Sequence, residues 1–274
     1  MFGILGNIFL FIIKIVVAVT SKSQSMLADS INSGTDILSS LMTFIGGKIA
    51  GEEADEDHNY GHGKAEYIFS FMISFVMGYL AVKIALNGIN SLINKNMLEF
   101  SSALVIVCIV TIVTKFFLYK YTKKIGQKQE NILILANAQD HKNDMFVTLS
   151  VLIGIGASLL KIYWLDGVVA ILIAIRIFYV AIEFFAQSYS VLIDKSMLEE
   201  DINKIKDIIN TYDKIDHLDK ITSKAAGKSF VVIIKISVDG NMTVKESHEI
   251  AGKLKADVLK LKDIYDVIVH INPA

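Results

Sequence analysis

The sequence is poor in residues that cross-link or break a fold, with one cysteine, Cys108, and one proline, Pro273, in 274 residues. A single cysteine forms neither a disulfide within the chain nor a thiolate metal site, which excludes disulfide scaffolds and zinc fingers. Because the proline lies near the C-terminal end, it interrupts none of the long apolar segments. The formal net charge is −1, so no overall basic field recruits nucleic acid.

Charge is also scarce, at 20% of residues against 53% hydrophobic residues and a mean hydropathy of +0.50. A soluble protein of this length does not bury so much apolar surface, so a bilayer is the expected solvent. Six apolar segments are each about long enough to cross the ~30 Å hydrocarbon core as a helix. They are Phe2 to Thr20, Met26 to Ile49, Tyr67 to Ile89, Ala103 to Tyr119, Ile132 to Leu160 and Val168 to Ser190. We therefore predict a six-helix transmembrane domain over residues 1–195.

The loop after the fourth segment predicts the orientation of the chain. It is the most basic loop, with Lys120, Lys123, Lys124 and Lys128. An excess of lysine and arginine marks the cytoplasmic side of a membrane protein. With six spans, both termini then lie in the cytoplasm. We expect a multi-pass protein of the cell (plasma) membrane, which contacts the lipid bilayer and does not bind nucleic acid.

After Asp194 the composition changes to that of a soluble domain. Residues 199–211 predict a helix with isoleucines on one face. A second helix, about Val244 to Leu259, begins with the capping-box pattern of Thr243 and Glu246. The predicted strands are Leu218 to Ser223, Phe230 to Val238 and Asp266 to Asn272. The order αββαβ over residues 196–274 predicts an α+β domain, with one sheet covered by helices on one face.

Two of the apolar segments carry polar pairs spaced four residues apart, Asn32 with Asp36 and Asp140 with Asp144. This spacing places both members of a pair on one face of a helix. A carboxylate in hydrocarbon is energetically expensive and is usually functional. Two such helices can close four oxygen-bearing side chains around one cation. The alternatives are a polar seam between helices for the first pair and a helix start in the headgroup region, paired with Lys142, for the second.

The second loop contains a further set of metal-ligand residues. His58 and His62 are four apart, and Asp55 is three before His58. Two imidazoles and a carboxylate at this spacing can meet on a single ion. The alternative is a solvated acidic loop that leads into the third span.

These residues stand in motifs that resemble a known family. The stretch from His58 to Glu66, His-Asn-Tyr-Gly-His-Gly-Lys-Ala-Glu, resembles the most recognisable motif of the cation diffusion facilitators. Similar stretches are Ser25 to Ser30, Leu192 to Ser196 and Val269 to Pro273. The motifs occur in the expected order over essentially the whole chain.

The resemblance implies a homodimeric antiporter that exchanges cytoplasmic divalent metal for protons by alternating access. By position, the residues that match the family's transport site are Asn32, Asp36, Asp140 and Asp144. Those that match its loop site are Asp55, His58 and His62. The metal ion is thus expected as the substrate and the proton as the counter-substrate.

The C-terminal domain resembles the family's cytoplasmic domain, which is ferredoxin-like or metallochaperone-like, dimerises and often binds metal. This chain departs from the better-equipped members of the family. Its remaining candidate ligands there are His217, His248 and His270. For each of them an ordinary surface or core histidine is the alternative interpretation.

The choice of ion follows from the ligand types. Zinc-transporting members of the family typically have a histidine in the transport site, whereas this chain offers oxygen ligands if Asn32 contributes its amide oxygen. Carboxylate and carbonyl oxygens suit manganese, so Mn(II) is predicted, with iron(II) and zinc as alternatives. His141 lies about 100° round the helix from Asp140 and is expected to point elsewhere. Apposed carboxylates can hold protons and release them when the ion binds, which makes proton antiport the natural coupling.

Two other classes of protein stay open. A membrane scaffold or metal sensor that does not transport would bind ions through the loop and the C-terminal domain, but it has no need of acids in two spans. An intramembrane enzyme would need a nucleophile with a base partner or a His-Glu-x-x-His motif, and the sequence offers neither. We predict a transporter without enzymatic activity.

Overall fold

The computed structural model describes residues 2–94, 99–128 and 132–274. Six long helices come first in the chain, and a small α+β region follows. The long helices are α1 (Phe2–Thr20), α2 (Gln24–Ala50), α3 (Ala65–Asn94), α4 (Ser102–Lys128), α5 (Ile132–Leu159) and α6 (Trp164–Leu192). The later elements are α7 (Glu199–Ile209), β1 (Ile215–Ala226), β2 (Ser229–Val238), α8 (Val244–Val258) and β3 (Ile264–Pro273). Both the six predicted helices and the αββαβ order are confirmed.

The ends of the helices differ from the predicted ends of the apolar segments. Helix α4 continues nine residues beyond Tyr119, through a last section rich in lysine, to Lys128. Hydropathy marks where a helix leaves hydrocarbon, whereas the backbone hydrogen-bond ladder continues wherever the residues favour it, and lysine is a good helix former.

Within the described ranges, three helices are long and apolar enough to cross a membrane by these two criteria alone, namely α3, α4 and α6. Helices α2 and α5 are of similar length, with 27 and 28 residues, but are interrupted by acids and other polar side chains. The described apolar part of α1, Asn7–Thr20, is shorter. The two less apolar long helices are those that carry the predicted transport site.

The chain divides into two compact units. The first, called the helical unit below, comprises Met1–Leu41 and Met72–Phe184; the second, called the sheet unit, comprises Met42–Phe71 and Phe185–Ala274. Within the helical unit, α4 packs along α5 and also contacts α1. The domain boundary predicted at residues 195 and 196 stays a prediction.

One face of α4 is buried inside the helical unit. Its buried residues include Leu104, Cys108, Thr111 and Lys115, which recur at helical spacing. Three of the four are small or apolar, as expected for a helix packed against neighbours. The fourth is a lysine, which this face carries into the interior.

In the sheet unit, three strands form a sheet in the order β1, β2, β3. Strand β1 pairs antiparallel with β2 through a two-residue turn, Gly227 and Lys228, and β2 pairs parallel with β3. A parallel pair needs a crossover, which α8 supplies. Helix α8 begins at the predicted capping box, since the Thr243 side chain accepts a hydrogen bond from the Glu246 backbone N–H and the Glu246 side chain accepts one in return.

The hydrophobic core of the sheet unit lies between the sheet and its two helices. Strand β2 supplies Val232, Ile234 and Ile236, all fully buried. Ile205 of α7 and Leu254 of α8 pack into the same core. The isoleucine face predicted for the first helix of this domain is therefore the face that covers the sheet.

Candidate metal sites

The helical unit contains a polar cavity of about 270 Å³. Helix α2 contributes Asp36 to its lining, and α5 contributes Asp140 and Asp144. Two basic side chains also line it, Lys115 from α4 and Arg176 from α6. Three of the four predicted transport-site residues thus share one cavity, which we call the polar cavity.

The fourth predicted residue, Asn32, lies one turn before Asp36 and is buried, with 5% of its surface exposed. The described lining of the polar cavity does not include it; on α2 the cavity extends from Asp36 toward Ser39 and Ser40 instead. Two amides do line the cavity, Asn7 of α1 and Asn137 of α5, and Asn137 lies seven residues before Asp144 on the same helical face.

His141 also lines the polar cavity. The expectation that it points elsewhere is therefore wrong. The cavity is broad enough to take side chains from Asn137, Asp140, His141 and Asp144. Adjacent residues of a helix point about 100° apart, which keeps them from lining the same cavity only when that cavity is narrow.

Lys115 makes the closest ionic contact in this cavity. Its Nζ lies 2.8 Å from Oδ2 of Asp144 and donates a second hydrogen bond, of 3.2 Å, to Oδ1 of Asn7. The sequence interpretation missed this residue. The available signal was that Lys115 is the one charged residue between Ala103 and Tyr119, on the helix face that also carries Cys108.

Arg176 is the second cation of the cavity. Its Nη1 is buried and has no hydrogen-bond partner among the described residues. The cavity therefore combines three carboxyl side chains with two basic ones, and among the described residues Lys115 is the one of these two that forms an ion pair with a carboxylate.

A separate polar network lies inside the helical unit. Lys14 and Asp29, each with 1% of its side chain exposed, form an ion pair of 2.9 Å. Lys14 also donates to Ser33 Oγ at 3.2 Å and to Thr148 Oγ1 at 3.4 Å, and Thr148 donates to Asp29 at 3.0 Å. These four residues, called the closed network below, link α1, α2 and α5.

In the sheet unit, the predicted loop residues are brought together. One ligand atom from each of Asp55, His58 and His62 lies within 4.8 Å of the others. His58 Nδ1 is 3.0 Å from Oδ1 of Asp55, and His62 Nε2 is 3.4 Å from Oδ2. In the part of the chain that the structure describes, no other group of three or more such residues is as tight. We call these three residues the loop cluster.

The Asp55 carboxylate is held in place by the loop backbone. It accepts hydrogen bonds from the N–H groups of Asp57 and His58. Desolvation acts in the opposite direction, but the hydrogen bonds from His58 and the charges of His58 and His62 lower the pKa of Asp55 below its ordinary value. Asp55 is thus kept as a carboxylate, the form that binds a metal ion.

The loop rests on the β1–β2 turn within the sheet unit. Gly227 has a φ of +73°, and a Cβ at this position would come within 2.7 Å of the Gly63 backbone. Glu66 pairs with Lys228 at 2.8 Å, and Lys64 pairs with Asp194 at 2.5 Å. Backbone contact and two ion pairs therefore position the segment that follows His62.

Two of the three candidate histidines of the C-terminal domain, His217 and His270, are joined through other side chains, because His217 contacts Asp219, Asn272 donates a hydrogen bond to Asp219, and His270 contacts Asn272. His217 lies between two carboxylates, 2.6 Å from Asp216 and 3.0 Å from Asp219. The hydrogen bond that the His217 ring donates to Asp216 is the main cause that raises the pKa of His217. His270 contacts Asn272, and His248 is exposed on α8. None of the three belongs to a cluster of ligand atoms within 4.8 Å among the described residues, and metal binding by them stays a prediction.

Comparison with known proteins covers the full length of the chain. The family described as "Cation efflux transmembrane domain" matches residues 1–193. The family described as "Cation efflux protein, cytoplasmic domain" matches residues 197–274. Together they account for both the long helices and the α+β region.

Curated relatives match at similar coverage. The manganese efflux system protein MneP of Bacillus subtilis (strain 168) is 27% identical, over 99% of this chain and 94% of its own. The manganese efflux system protein MneS of the same organism is 28% identical, over 95% of this chain and 90% of its own. The cation-efflux pump FieF of Shewanella oneidensis is 31% identical, over 95% of this chain and 88% of its own. The chain belongs to the cation efflux family, the cation diffusion facilitators, and is a membrane transporter of metal cations.

Proposed function

We propose that this protein exports Mn(II) from the cytoplasm in exchange for protons, by alternating access. It works as a homodimer in the plasma membrane, with both termini in the cytoplasm. The transport site comprises Asp36, Asp140 and Asp144, with Asn32 as the fourth residue by position in its family. The loop cluster is a second metal site.

The observation that carries the proposal is the polar cavity, where carboxylates from two helices meet inside the helical unit. Carboxylate and amide oxygens are the ligands of hard divalent ions such as Mn(II). The volume of about 270 Å³ leaves room for an ion that keeps several waters, since each water occupies about 30 Å³ in the liquid. Two full-length relatives named as manganese efflux proteins support the same ion.

Proton coupling follows from the same carboxylates. A metal ion binds the ionised form of a carboxylate, so ion binding and proton binding exclude each other at each such group. After a carboxylate has released its ion it can bind a proton, and the protonated site can then open again toward the other side of the membrane. The coupling therefore needs no residue beyond the transport site.

Zinc or iron(II) is the second candidate substrate, because His141 also lines the cavity. Imidazole is a preferred ligand of zinc and suits iron as well. The variant His141→Asn discriminates between the two proposals. If Mn(II) is the substrate, the variant retains most of the Mn(II) transport of the wild type. If zinc or iron(II) is the substrate, the variant transports that ion more slowly than the wild type does, and the wild type itself transports little Mn(II).

The direct test is uptake of Mn(II) into proteoliposomes under an imposed pH gradient. We expect Asp36→Asn and Asp144→Asn to reduce uptake to the level of empty liposomes, and uptake by the wild type to disappear when the pH gradient is collapsed. Asp201→Asn is the matched control, since this partly exposed aspartate of α7 pairs only locally with Lys204 in the described contacts. Wild-type rates in both membrane variants would refute the site, and a rate independent of the pH gradient would refute proton antiport.

A further inference from the structure

The ammonium group of Lys115 and a transported cation need the same carboxylate. Nζ of Lys115 lies 2.8 Å from Oδ2 of Asp144, which is the distance of a charge-assisted hydrogen bond. We propose that Lys115 is a built-in competitor of the transported ion, and that metal binding displaces its ammonium from Asp144 toward Asn7. The inference rests on the proposed transport site and adds to it a residue that sets its affinity.

The fold keeps the ammonium at this place. Lys115 lies on the buried face of α4 with Cys108 and Thr111, and only 5% of its surface is exposed. An unpaired ammonium in such surroundings is strongly unfavourable, so the group stays near an acceptor. Two acceptors are within reach, the Asp144 carboxylate and the Asn7 amide oxygen at 3.2 Å.

Competition follows from simple electrostatics. A divalent ion approaches a carboxylate oxygen to about 2.0–2.6 Å, closer than an ammonium does. The ion and the ammonium would repel each other strongly at such separation in a site of low dielectric. The ammonium must therefore move, and Asn7 gives it a neutral acceptor once Asp144 binds metal. Metal affinity is lowered by the free energy of breaking the Lys115–Asp144 pair.

This arrangement has a use in a transporter. A site that binds its ion too tightly does not release it, and maximal rate falls even as apparent affinity rises. A tethered cation that returns to Asp144 helps to expel the ion on the far side of the membrane. Lys115 would thereby lower the affinity and raise the turnover.

Arg176 provides an internal control for the general effect of positive charge. It lines the same cavity, but among the described residues its Nη1 has no hydrogen-bond partner and Asp144 pairs with Lys115 instead. Removing its charge changes the field in the cavity without freeing the Asp144 oxygen. A purely electrostatic influence predicts similar effects for both residues, whereas displacement predicts a larger effect for Lys115.

The test measures Mn(II) binding to the purified full-length protein and Mn(II) uptake in proteoliposomes. We expect Lys115→Gln to lower the Kd for Mn(II) about tenfold or more, with a lower KM and a lower maximal rate of uptake. Arg176→Gln should change the Kd by less than about threefold, a difference well below that of a lost charge pair. In an Asp144→Asn background, Lys115→Gln should not change the Kd for Mn(II) further, because Asp144→Asn has already removed the carboxylate for which the ammonium competes.

Asn7→Ala keeps the test decisive if Lys115→Gln fails to fold. It removes the second acceptor, so displacement becomes harder and the Kd should rise about threefold, opposite to the effect of Lys115→Gln. An unchanged or higher Kd in folded Lys115→Gln, equal effects of Lys115→Gln and Arg176→Gln, or an unchanged Kd in Asn7→Ala would each overturn the proposal. Failure of the proposed function looks different: Asp144→Asn would then bind and transport Mn(II) like the wild type.

Discussion

The helical unit contains two buried lysine–aspartate pairs of nearly equal length, with 2.9 Å between Lys14 and Asp29 and 2.8 Å between Lys115 and Asp144. Their surroundings differ. In the closed network, hydroxyl groups on α2 and α5 take up the remaining hydrogen bonds of the pair. The second pair opens onto the polar cavity, beside further carboxylates and an arginine.

The difference separates a structural ion pair from an exchangeable one. Ion pairs in low dielectric hold together only when their remaining hydrogen-bonding groups are satisfied. In the closed network both charged partners are buried and their further described contacts are to Ser33 and Thr148, so the pair ties three helices together. At the polar cavity, water or a metal ion can replace the ammonium. The same two residue types can therefore serve structure in one place and transport in the other.

The largest effect is expected from removing one partner of the closed pair. Lys14→Met leaves the Asp29 carboxylate buried and unpaired, which should destabilise the protein by about 3–5 kcal/mol. Lys115→Met should destabilise it by less than half as much, because water in the cavity can hydrate Asp144. Thermal unfolding in detergent, monitored by circular dichroism, measures both. Equal losses would erase the distinction between the two pairs.

A smaller effect is expected from the hydroxyl that completes the closed network. Thr148→Val keeps the shape of the side chain but removes the hydrogen bonds to Asp29 and from Lys14, which should destabilise the protein by about 1–3 kcal/mol. The Kd for Mn(II) should stay at its wild-type value, since Thr148 does not line the described cavity. Calorimetric titration with Mn(II) checks the binding. If the free energy of Mn(II) binding changed by more than the free energy of unfolding, this network would be connected to transport.

A backbone contact in the sheet unit, between Gly227 and Gly63, shows how much stability a contact without charge contributes. Gly227→Ala introduces a Cβ that would clash with the Gly63 backbone and strains a φ of +73°. We expect a loss of about 1–2 kcal/mol, together with weaker Mn(II) binding at the loop cluster, because Gly63 follows His62 directly. Gly252→Ala on α8 is the matched control, with open space around its Cβ position. Equal stability of the two variants would show that the turn yields without moving the loop.

The smallest effect is expected from an exposed ion pair. The hydrogen bond from Lys64 lowers the pKa of Asp194 below its ordinary value of 3.8. The stabilisation is therefore present in full above that value and is lost as the pH falls through the lowered pKa. Because both side chains are about a third exposed, Lys64→Gln should destabilise the protein by at most about 1 kcal/mol at pH 7.

The control for this last prediction is the pH itself. The difference in melting temperature between wild type and Lys64→Gln should shrink as the pH falls below 3.8. A difference that persists in acid, or one as large as that of Lys14→Met, would mean that exposure does not separate the two kinds of pair.

Much of the fold could be predicted from local signals. The capping box at Thr243 and Glu246 and the strand Phe230 to Val238 were confirmed because capping and β-branched runs act within a few residues. The loop cluster was predicted for a similar reason, since its three residues lie within a stretch of eight. A turn of the backbone is enough to bring them together.

The composition of the polar cavity was less accessible. Spacing predicted the carboxylates of α2 and α5 but could not show that Asn137 and His141 line the cavity while Asn32 does not. Nor did it reveal the basic side chains from α4 and α6. The rotation of each helix about its axis decides which residues meet, and that rotation depends on packing across the whole unit.

The sequence by itself determined that the chain spans a membrane, where its helices lie, that acids occur inside two of them, and to which family it belongs. These follow from hydropathy, helical spacing and motifs, which are properties of neighbouring residues. Only the tertiary structure decided which lysine meets which aspartate, and hence that one pair is sealed while the other opens onto the cavity. Partners more than twenty residues apart in the chain, such as Lys115 and Asp144, meet only when helices pack, because local spacing carries no information about contacts between helices.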